Sequence, residues 1–430
     1  MRIINDPDKD QWEELLARPL LDYSSGEATV KDIIQTVRQK GDKALKEYAQ
    51  KFDRVTLDAL QVTEKELNEA ESHVSAELKK AIYQARENIT LFHAAQKLTP
   101  QKIETQPGVI CWRKNVPIAK VGLYIPGGTA PLFSTLLMLG IPGKLAGCQE
   151  MVICTPPDKQ GKVHPAILFT ANLLGITQIF KVGGAQAIAA MAYGTESIPR
   201  VYKIFGPGNQ YVTLAKQLVS KDAVAIDMPA GPSEVAIVAD ESANPAFVAA
   251  DLLSQAEHGL DSQVLMVTTS KDFAEQVNQE VEAQLERLPR AEIARGALEN
   301  SRIIILENLG VAMELINQYA PEHLILAVEN DEKLAESVMN AGSVFLGNYT
   351  PESAGDYASG TNHTLPTNGF ANAYSGVSLD SFVKKITFQK ISETGIQNLG
   401  PTVEIMAEAE ELLAHKEAVS VRLNYLRKNK

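Results

Sequence analysis

The chain has 430 residues, of which 45% are hydrophobic and 22% are charged, as in an ordinary folded globular protein. This length exceeds that of a typical single core, so the sequence predicts two sizeable domains. Acidic residues number 53 and basic residues 41, and the resulting formal net charge of −12 makes nucleic acid an unfavourable partner.

The N-terminal sequence MRIINDPDKDQWEELL lacks the apolar stretch of a secretory signal, and no run of about 18 apolar residues could cross a bilayer. We therefore expect a cytoplasmic protein without a membrane segment. Cys111, Cys148 and Cys154 are odd in number and lack CxxC spacing, which indicates neither a disulfide framework nor a thiolate zinc site. They are interpreted as buried small side chains.

The first ~100 residues are predicted to form helices. Apolar residues repeat at helical spacing at Val30, Ile33, Ile34 and Val37. Gly41 predicts the end of that helix. Thr63 and Glu66 have the spacing of a capping box, and a longer helix is expected from about Ser75 to Gln96.

From Lys120 onward, short apolar runs alternate with helical stretches. The runs are VGLYI, MVIC, QIFKV, VYKIF, VAIVA, QVLMV, RIIIL, HLILA and SVFL. Continuous apolar strands alternating with helices are typical of parallel sheets covered on both faces. The sequence therefore predicts an α/β protein with two doubly wound, Rossmann-like units.

Three glycine-rich turns follow predicted strands: Tyr124 to Gly128, Gly183 to Gln186, and Gly206 to Asn209. Small residues beyond the carboxyl ends of parallel strands let a backbone approach phosphate. None of the turns is GxGxxG, and each alone is equally well explained as a tight turn. Together they favour a ligand that carries phosphate.

Gln255 and His258 are three residues apart at the end of an apparent helix, NPAFVAADLLSQAEHG, and this spacing places both on one helical face. They are candidate zinc ligands, although on this motif alone a histidine at a helix C-terminus is the simpler explanation of His258. Glu322 and His323 lie in a turn that leads into the strand LILAV, which we interpret as the usual location of α/β active-site residues. Both are candidate bases.

A segment rich in Gly, Ser, Thr and Asn, from about Asn348 to Phe370, is predicted to be an exposed functional loop. Its Asp356 is a candidate metal ligand or a turn-stabilising residue. A final helix is expected from roughly Thr402 to Leu426, where Glu411 and His415 are spaced as a solvated pair. Because this helix is detached from the α/β pattern, it is expected to pack on a neighbouring subunit.

The segments from Ile226 to Asp240 and from Leu252 to Gly259 resemble the signature of the histidinol dehydrogenase family. Further blocks resemble that family in the same order: VGLYIPGGTAPLFST, KVGGAQAIAAMAYGT, FGPGNQYV, APEHL, GDYASGTNHTLPT and AHKEAV. The resemblance covers nearly the whole chain.

The resemblance implies one zinc ion per active site. Its ligands would be Gln255, His258, Asp356 and His415, the last donated by the partner subunit of a homodimer. These four residues and His323 would also contact the substrate, together with Ser233, His363 and Glu410. Glu410 would likewise come from the partner.

The resemblance also implies the reaction, which is the oxidation of histidinol through histidinal to histidine with two NAD⁺, the last step of histidine biosynthesis. His323 would be the general base and Glu322 would activate water for the second oxidation. NAD⁺ would lie near Tyr124, Gln186 and Asn209.

The expected division is a helical arm at 1–22, one Rossmann-like domain at 23–125 and 236–377, a second at 126–235, and a helical segment at 378–430 that contacts the partner. Three alternatives stay open. Cys111 or Cys148 could capture an aldehyde as a nucleophile, the substrate could be another small polar alcohol, or the metal could merely join two subunits.

Overall fold

A computed structural model describes residues 1–19, 24–127, 131–229 and 231–429, together with the backbone but not the side chains of Ser24 and Ser25. Gly128, in the first predicted turn, and the predicted domain border after residue 22 lie outside these residues. Within them the chain forms two compact units. The larger unit is Met1–Ala95 with Ile118–Ser381, and the smaller is Gln96–Pro117 with Phe382–Lys430.

The strands of the described residues are numbered in chain order. They are β1 (Arg2–Asn5), β2 (Lys102–Gln106), β3 (Val109–Pro117), β4 (Lys120–Tyr124), β5 (Glu150–Thr155), β6 (Gln178–Lys181), β7 (Lys203–Phe205), β8 (Ala225–Ile226), β9 (Glu234–Ala239), β10 (Gln263–Thr268), β11 (Arg302–Ile305), β12 (His323–Ala327), β13 (Ser343–Leu346) and β14 (Val383–Ile391).

The α-helices are numbered in the same way. They are α1 (Trp12–Leu15), α2 (Ser24–Lys40), α3 (Asp42–Tyr48), α4 (Glu64–Glu69), α5 (Ala76–Ala94), α6 (Phe133–Ala146), α7 (Pro165–Leu173), α8 (Gly184–Tyr193), α9 (Gln210–Ser220), α10 (Pro245–Ala256), α11 (Lys271–Leu285), α12 (Ala291–Glu299), α13 (Leu309–Tyr319), α14 (Asp331–Ala335), α15 (Glu352–Tyr357), α16 (Glu393–Ala409) and α17 (Leu413–Lys428).

In the larger unit, six parallel strands of the described chain form one sheet in the order β1-β11-β10-β9-β12-β13. Alternate residues of β9 face opposite core layers: Val235 and Ile237 belong to one, and Ala236 and Val238 to the other. A strand that is buried on both faces must be apolar throughout, which is why β9 appears in the sequence as VAIVA.

A second parallel sheet of the larger unit has the order β6-β5-β4-β7-β8 in the described residues. The chain adds β5 and β6 on one side of β4, and β7 and β8 on the other. The strand order therefore reverses between β4 and β7, and ligands of open α/β sheets bind beyond the carboxyl ends of strands at such a point.

The predicted fold class is confirmed, because all nine apolar runs form strands of these two parallel sheets. The predicted helices α2 and α5 are also present. Thr63 caps α4 in a reciprocal capping box with Glu66. None of the helices in the described part of the chain combines the length and apolar character that a membrane span requires.

The secondary structure predicted at the N-terminus and that predicted for the last helix were wrong. The N-terminal segment begins with strand β1, which pairs with β11 from Arg2 to Asn5 where helices were expected; four residues are too few to establish a period. The single C-terminal helix is instead two helices, α16 and α17, and Glu411 between them has a left-handed backbone with φ +58°. Glu411 therefore does not share a helical face with His415.

The smaller unit contains an antiparallel sheet in the order β14-β3-β2, and helices α16 and α17 pack against each other. Trp112 of β3 stacks on Phe388 of β14 with ring centroids 5.4 Å apart. The sequence analysis treated 378–430 as helical and missed β14. The four-part division of the chain stays a prediction.

A buried ion pair fixes the turn after β7. Nζ of Lys216 lies 2.5 Å from Oδ1 of Asp227 and donates to the carbonyl oxygen of Gly206 at 2.9 Å, while the N–H of Gly206 donates to Oδ2 of Asp227 at 2.8 Å. Gly206 has φ +124°, and a Cβ there would lie 2.1 Å from the carbonyl oxygen of Tyr124. The pair therefore holds a conformation that only glycine can adopt in this position.

Lys216→Met is expected to lower the free energy of unfolding by about 3 kcal/mol, because Asp227 would stay buried without its cation. Denaturant unfolding followed by circular dichroism measures the change. Lys120→Met is the matched control, since Lys120 and Glu150 pair in the same sheet but are 34% and 38% exposed, and we expect a much smaller loss. Equal losses in the two variants would contradict the role given to the buried pair.

Candidate active site

The candidate active site lies at the amino ends of two adjacent strands of the six-stranded sheet. Glu234 is the first residue of β9 and His323 is the first residue of β12. The register places His323 beside Val235, so the peptide groups of Glu234 face the turn that contains Glu322 and His323. Gln255, in the last turn of α10, reaches the same place.

Glu322 and His323 lie where the sequence placed them, at the turn that leads into a strand, with Glu322 before β12 and His323 at its start. The interpretation of this turn as the usual location of active-site residues was wrong, because it lies at the amino edge of the sheet, whereas ligands of parallel sheets usually bind at the carboxyl edge.

The two candidate bases share one backbone anchor. The N–H of Glu234 donates to Oε2 of Glu322 at 3.0 Å, and Nδ1 of His323 donates to the carbonyl oxygen of Glu234 at 3.2 Å. Oε2 of Glu322 is also 3.6 Å from Nδ1 of His323. The opposite ring nitrogen of His323, Nε2, is buried and has no hydrogen-bond partner among the described residues. It lies 3.4 Å from Oδ1 of Asp356.

Burial and mutual charge shift the protonation equilibria of this cluster. Burial raises the pKa of Glu322 to about 8 and the pKa of Glu352 to about 8. Burial alone would lower the pKa of His323, but the neighbouring carboxylates, Glu322 first among them, outweigh it and raise this pKa to about 10. Burial also acts to raise the pKa of Asp356, but the contact with His323 outweighs it and lowers this pKa.

A donor set suited to a divalent cation lies beside His323. His258, Glu352 and Asp356 each offer one ligand atom, and these atoms all lie within 4.8 Å of one another. Glu352 is buried, Asp356 is half-buried and His258 is exposed. Imidazole and carboxylate groups are common zinc ligands, and an exposed ligand at one side leaves room for an incoming molecule.

The amide of Gln255 can take two orientations. In one, its nitrogen donates to Oε1 and Oε2 of Glu352 at 2.7 and 3.2 Å, and its oxygen accepts from the N–H of Glu234 at 3.1 Å. In the other, the amide oxygen faces Glu352 and could serve as a metal ligand. The residues present therefore fit a metal ion, and the second orientation is the one that offers Gln255 as a ligand.

The structure corrects the local geometry of three candidates. His258 lies beyond the end of α10 at Ala256, so it does not share a helical face with Gln255. Asp356 is in helix α15, and the predicted exposed loop is partly buried. His363 is half-buried, with Nδ1 2.8 Å from the carbonyl oxygen of Asp356 and Nε2 3.1 Å from Oγ1 of Thr135. Burial lowers the pKa of His363.

Glu352 is a site residue that sequence reasoning missed. It is 1% exposed and its carboxylate meets both Gln255 and, at 3.4 Å, Oγ of Ser254. Glu352 and Asp356 are four residues apart on α15, the spacing that places two side chains on one helical face. That spacing was visible in the sequence, but the composition of the segment predicted a loop.

A cavity of about 470 Å³ connects the cluster to the second sheet. Ser233 and His258 line one wall, and Gly208, Asn209 and Gln210 line the other. The amino edge of one sheet and the carboxyl edge of the other therefore face the same space.

The predicted cofactor residues lie at the carboxyl edge of the five-stranded sheet. Tyr124 ends β4, and its hydroxyl accepts from the N–H of Gly184 at 3.0 Å, which joins two of the glycine-rich turns. Gln186 is buried in α8. Asn209 caps α9 by accepting from the N–H groups of Tyr211 and Val212, both at 3.1 Å.

The remaining candidates lie elsewhere. Glu410 and His415 belong to the smaller unit, at the end of α16 and in the first turn of α17, and both are exposed within it. Burial raises the pKa of the Cys148 thiol to about 11, which makes it a poor nucleophile near neutral pH. Cys148 also lies before β5, at the amino edge of its sheet, away from the turns that follow β4 and β7.

Comparison with known proteins identifies the family of this chain. A family model described as histidinol dehydrogenase matches residues 16–423. The histidinol dehydrogenase of Bacteroides thetaiotaomicron is 63% identical over 427 residues, which cover 99% of this chain and 100% of that protein. The histidinol dehydrogenase of Escherichia coli is 53% identical over 421 residues, covering 97% and 96% respectively.

A crystal structure of histidinol dehydrogenase from Elizabethkingia anophelis superposes with a TM-score of 0.97 at 56% identity, covering 99% of each chain. The fold is thus that of an α/β oxidoreductase. The chain belongs to the histidinol dehydrogenase family.

Glu352→Gln is expected to weaken zinc binding by about 10- to 100-fold, because the variant keeps the shape of the side chain but cannot lose a proton to become a negatively charged member of the donor set. Competition with a chromophoric chelator on the metal-free protein measures this affinity. Glu257→Gln is the control, since Glu257 carries the same charge close to His258 but is not part of the cluster. An unchanged affinity in Glu352→Gln would exclude Glu352 from the metal site.

Proposed function

We propose that this protein is a zinc-dependent enzyme that oxidises histidinol through histidinal to histidine, with one NAD⁺ reduced in each step. One observation carries the proposal: the buried ring of His323 lies between the carboxylates of Glu322 and Asp356, which are 3.6 Å from Nδ1 and 3.4 Å from Nε2. His258, in the same donor cluster as Asp356, lines a cavity that reaches the glycine-rich turn at Gly208 and Asn209. Membership of the family supports the choice of substrate.

The zinc ion would be held by Gln255, His258 and Asp356, with Glu352 completing or orienting the donor set. When bound, zinc would orient the imidazole and amine of the substrate at open coordination positions. Ser233, beside the cluster, and His363, which is held by Asp356 and Thr135, are the residues of this unit that we assign to substrate contact.

His323 takes the proton of the substrate hydroxyl. Because Nδ1 donates to the carbonyl oxygen of Glu234, the lone pair of the neutral ring lies on Nε2. A cation bound by Asp356 would offset part of the carboxylate charge that raises the pKa of His323, and would so favour this neutral form. The geometry thus presents a base whose tautomer is fixed before the substrate arrives.

Glu322 acts in the second half of the reaction. Its Oε2 is held by the N–H of Glu234, so the carboxylate cannot turn away from His323. It accepts a proton from the water that adds to the aldehyde, and His323 then takes the hydroxyl proton of the resulting hydrate.

NAD⁺ would bind along Tyr124, Gln186 and Asn209, where the strand order reverses between β4 and β7. When bound, it accepts the hydride in each oxidation. Gly206 and the amino end of α9 let the backbone approach a phosphate group, and Asn209, which caps that end of the helix, lines the cavity.

Glu410 and His415 would complete the site of a partner subunit in a homodimer, with His415 on the zinc ion and Glu410 on the substrate. Their exposure at the ends of two helices of the smaller unit supports a role at an interface. The cytoplasmic location stays a prediction.

The proposed reaction forms two NADH for each histidinol consumed, because both oxidations transfer one hydride. Absorbance of NADH under limiting histidinol measures this ratio. A chelator is expected to abolish the activity and added zinc to restore it. Other amino alcohols are the control for the substrate; faster turnover of one of them would change the assigned substrate, and a ratio of one would remove the second oxidation.

The shared site predicts that two inactive chains restore each other. His258→Asn and His415→Asn are each expected to be nearly inactive, while mixed dimers would contain one site with all of its ligands. Activity after the two chains exchange subunits measures this recovery. If exchange occurs, as checked by differently tagged chains, and activity does not return, then His415 does not act in the partner's site.

A further inference from the structure

The buried carboxylate of Glu234 has a partner from a distant part of the chain. Its side chain is 2% exposed, and a carboxylate buried to that extent requires compensation of its charge. Nε of Arg18, from the segment after α1, donates to Oε2 of Glu234 at 2.6 Å, and the N–H of Asn368 donates to Oε1. Burial still raises the pKa of Glu234, with the Arg18 charge opposing it.

Arg18 also holds a second segment. Its Nη2 donates to the carbonyl oxygen of Tyr319 at 2.6 Å, and its guanidinium carbon lies 4.1 Å from the centroid of the Tyr319 ring. Tyr319 is the last residue of α13 and precedes Glu322 by three residues. The planar guanidinium therefore joins the start of β9 to the turn that carries Glu322 and His323.

The start of β9 and the turn after α13 both lie at the proposed proton-transfer groups. The N–H of Glu234 holds Glu322 and the carbonyl oxygen of Glu234 holds His323. A shift of the first peptide group of β9 would move both contacts at once. A displacement of ~1 Å at a reacting group can lower a rate by about 100-fold.

We infer that Arg18 is a positioning residue for the reaction, which acts through Glu234 and Tyr319 to hold Glu322 and His323 in their reactive places. The inference rests on the proposed function. The role of Arg18 differs from that of a purely stabilising ion pair, because Arg18 holds Glu234, whose peptide groups contact the residues of both oxidation steps.

The test compares Arg18→Met with Arg18→Lys, which keeps a cation beside Glu234 but cannot hold Tyr319 in the same planar arrangement. Lys9→Met is the matched control: Lys9 lies in the same N-terminal segment and pairs with Glu314 of α13, but both side chains are exposed. For each variant we would measure kcat and KM with histidinol and, separately, with histidinal, together with the zinc content and the midpoint of thermal unfolding.

Arg18→Met is expected to lower kcat by about 10- to 100-fold. The factor should be similar in the two half-reactions, since Glu234 holds both Glu322 and His323. The zinc content and the KM for NAD⁺ should stay as in the unaltered enzyme. Arg18→Lys should recover part of kcat, and Lys9→Met should match the unaltered enzyme. If Arg18→Met does not fold, the partial loss of kcat in Arg18→Lys at full zinc content carries the test.

Three results would overturn the inference: kcat of both Arg18 variants equal to that of Lys9→Met, a loss that missing zinc or unfolded protein explains in both Arg18 variants, or a loss confined to one half-reaction. Each differs from failure of the proposed function, in which the unaltered enzyme itself would form no NADH from histidinol.

Discussion

The burial of several carboxylates at one place is the constraint on which the site depends. Glu234, Glu322 and Glu352 are buried and Asp356 is half-buried. Like charges in a medium of low dielectric are costly unless each finds a cation, a proton or hydrogen-bond donors. The described contacts supply these partners: Arg18 for Glu234, a backbone N–H for Glu322, the Gln255 amide for Glu352, and His323 for Asp356. A cluster so arranged retains negative charge facing a cavity, which suits a divalent cation.

The direction of the helices adds to the negative charge at this edge of the sheet. Helices run antiparallel to the strands they cover, so α10 and α13 end at the amino edge of β9 and β12, where their last carbonyl groups carry partial negative charge. The opposite wall of the cavity is the carboxyl edge of the second sheet, where α9 begins and the aligned peptide dipoles place partial positive charge. One wall therefore favours a cation and the other favours phosphate, and a substrate between them could meet both the metal ligands and a dinucleotide.

Much of the fold could be predicted because local composition determines it. A strand buried on both faces is apolar at every position, so β9 and β10 appear as unbroken apolar runs that few other structures require. The capping box of Thr63 and Glu66 depends on residues three positions apart, and the sequence shows it directly. Strand β1 was missed because it has only four residues, and β14 because VKKITFQKI carries three lysines and lies largely exposed in its sheet.

The site was predicted as far as the type of a side chain reveals its chemistry. His258 and Asp356 could be chosen from their residue types and from the family resemblance, and they do lie together. Arg18 could not be chosen from the sequence, because its partner Glu234 is 216 positions away. Glu234 was hidden for a further reason: it acts largely through its peptide N–H and C=O, which almost every residue possesses. Only the register of β9 against β12, with Val235 beside His323, determines which peptide group faces the two bases, and register is a property of the folded sheet.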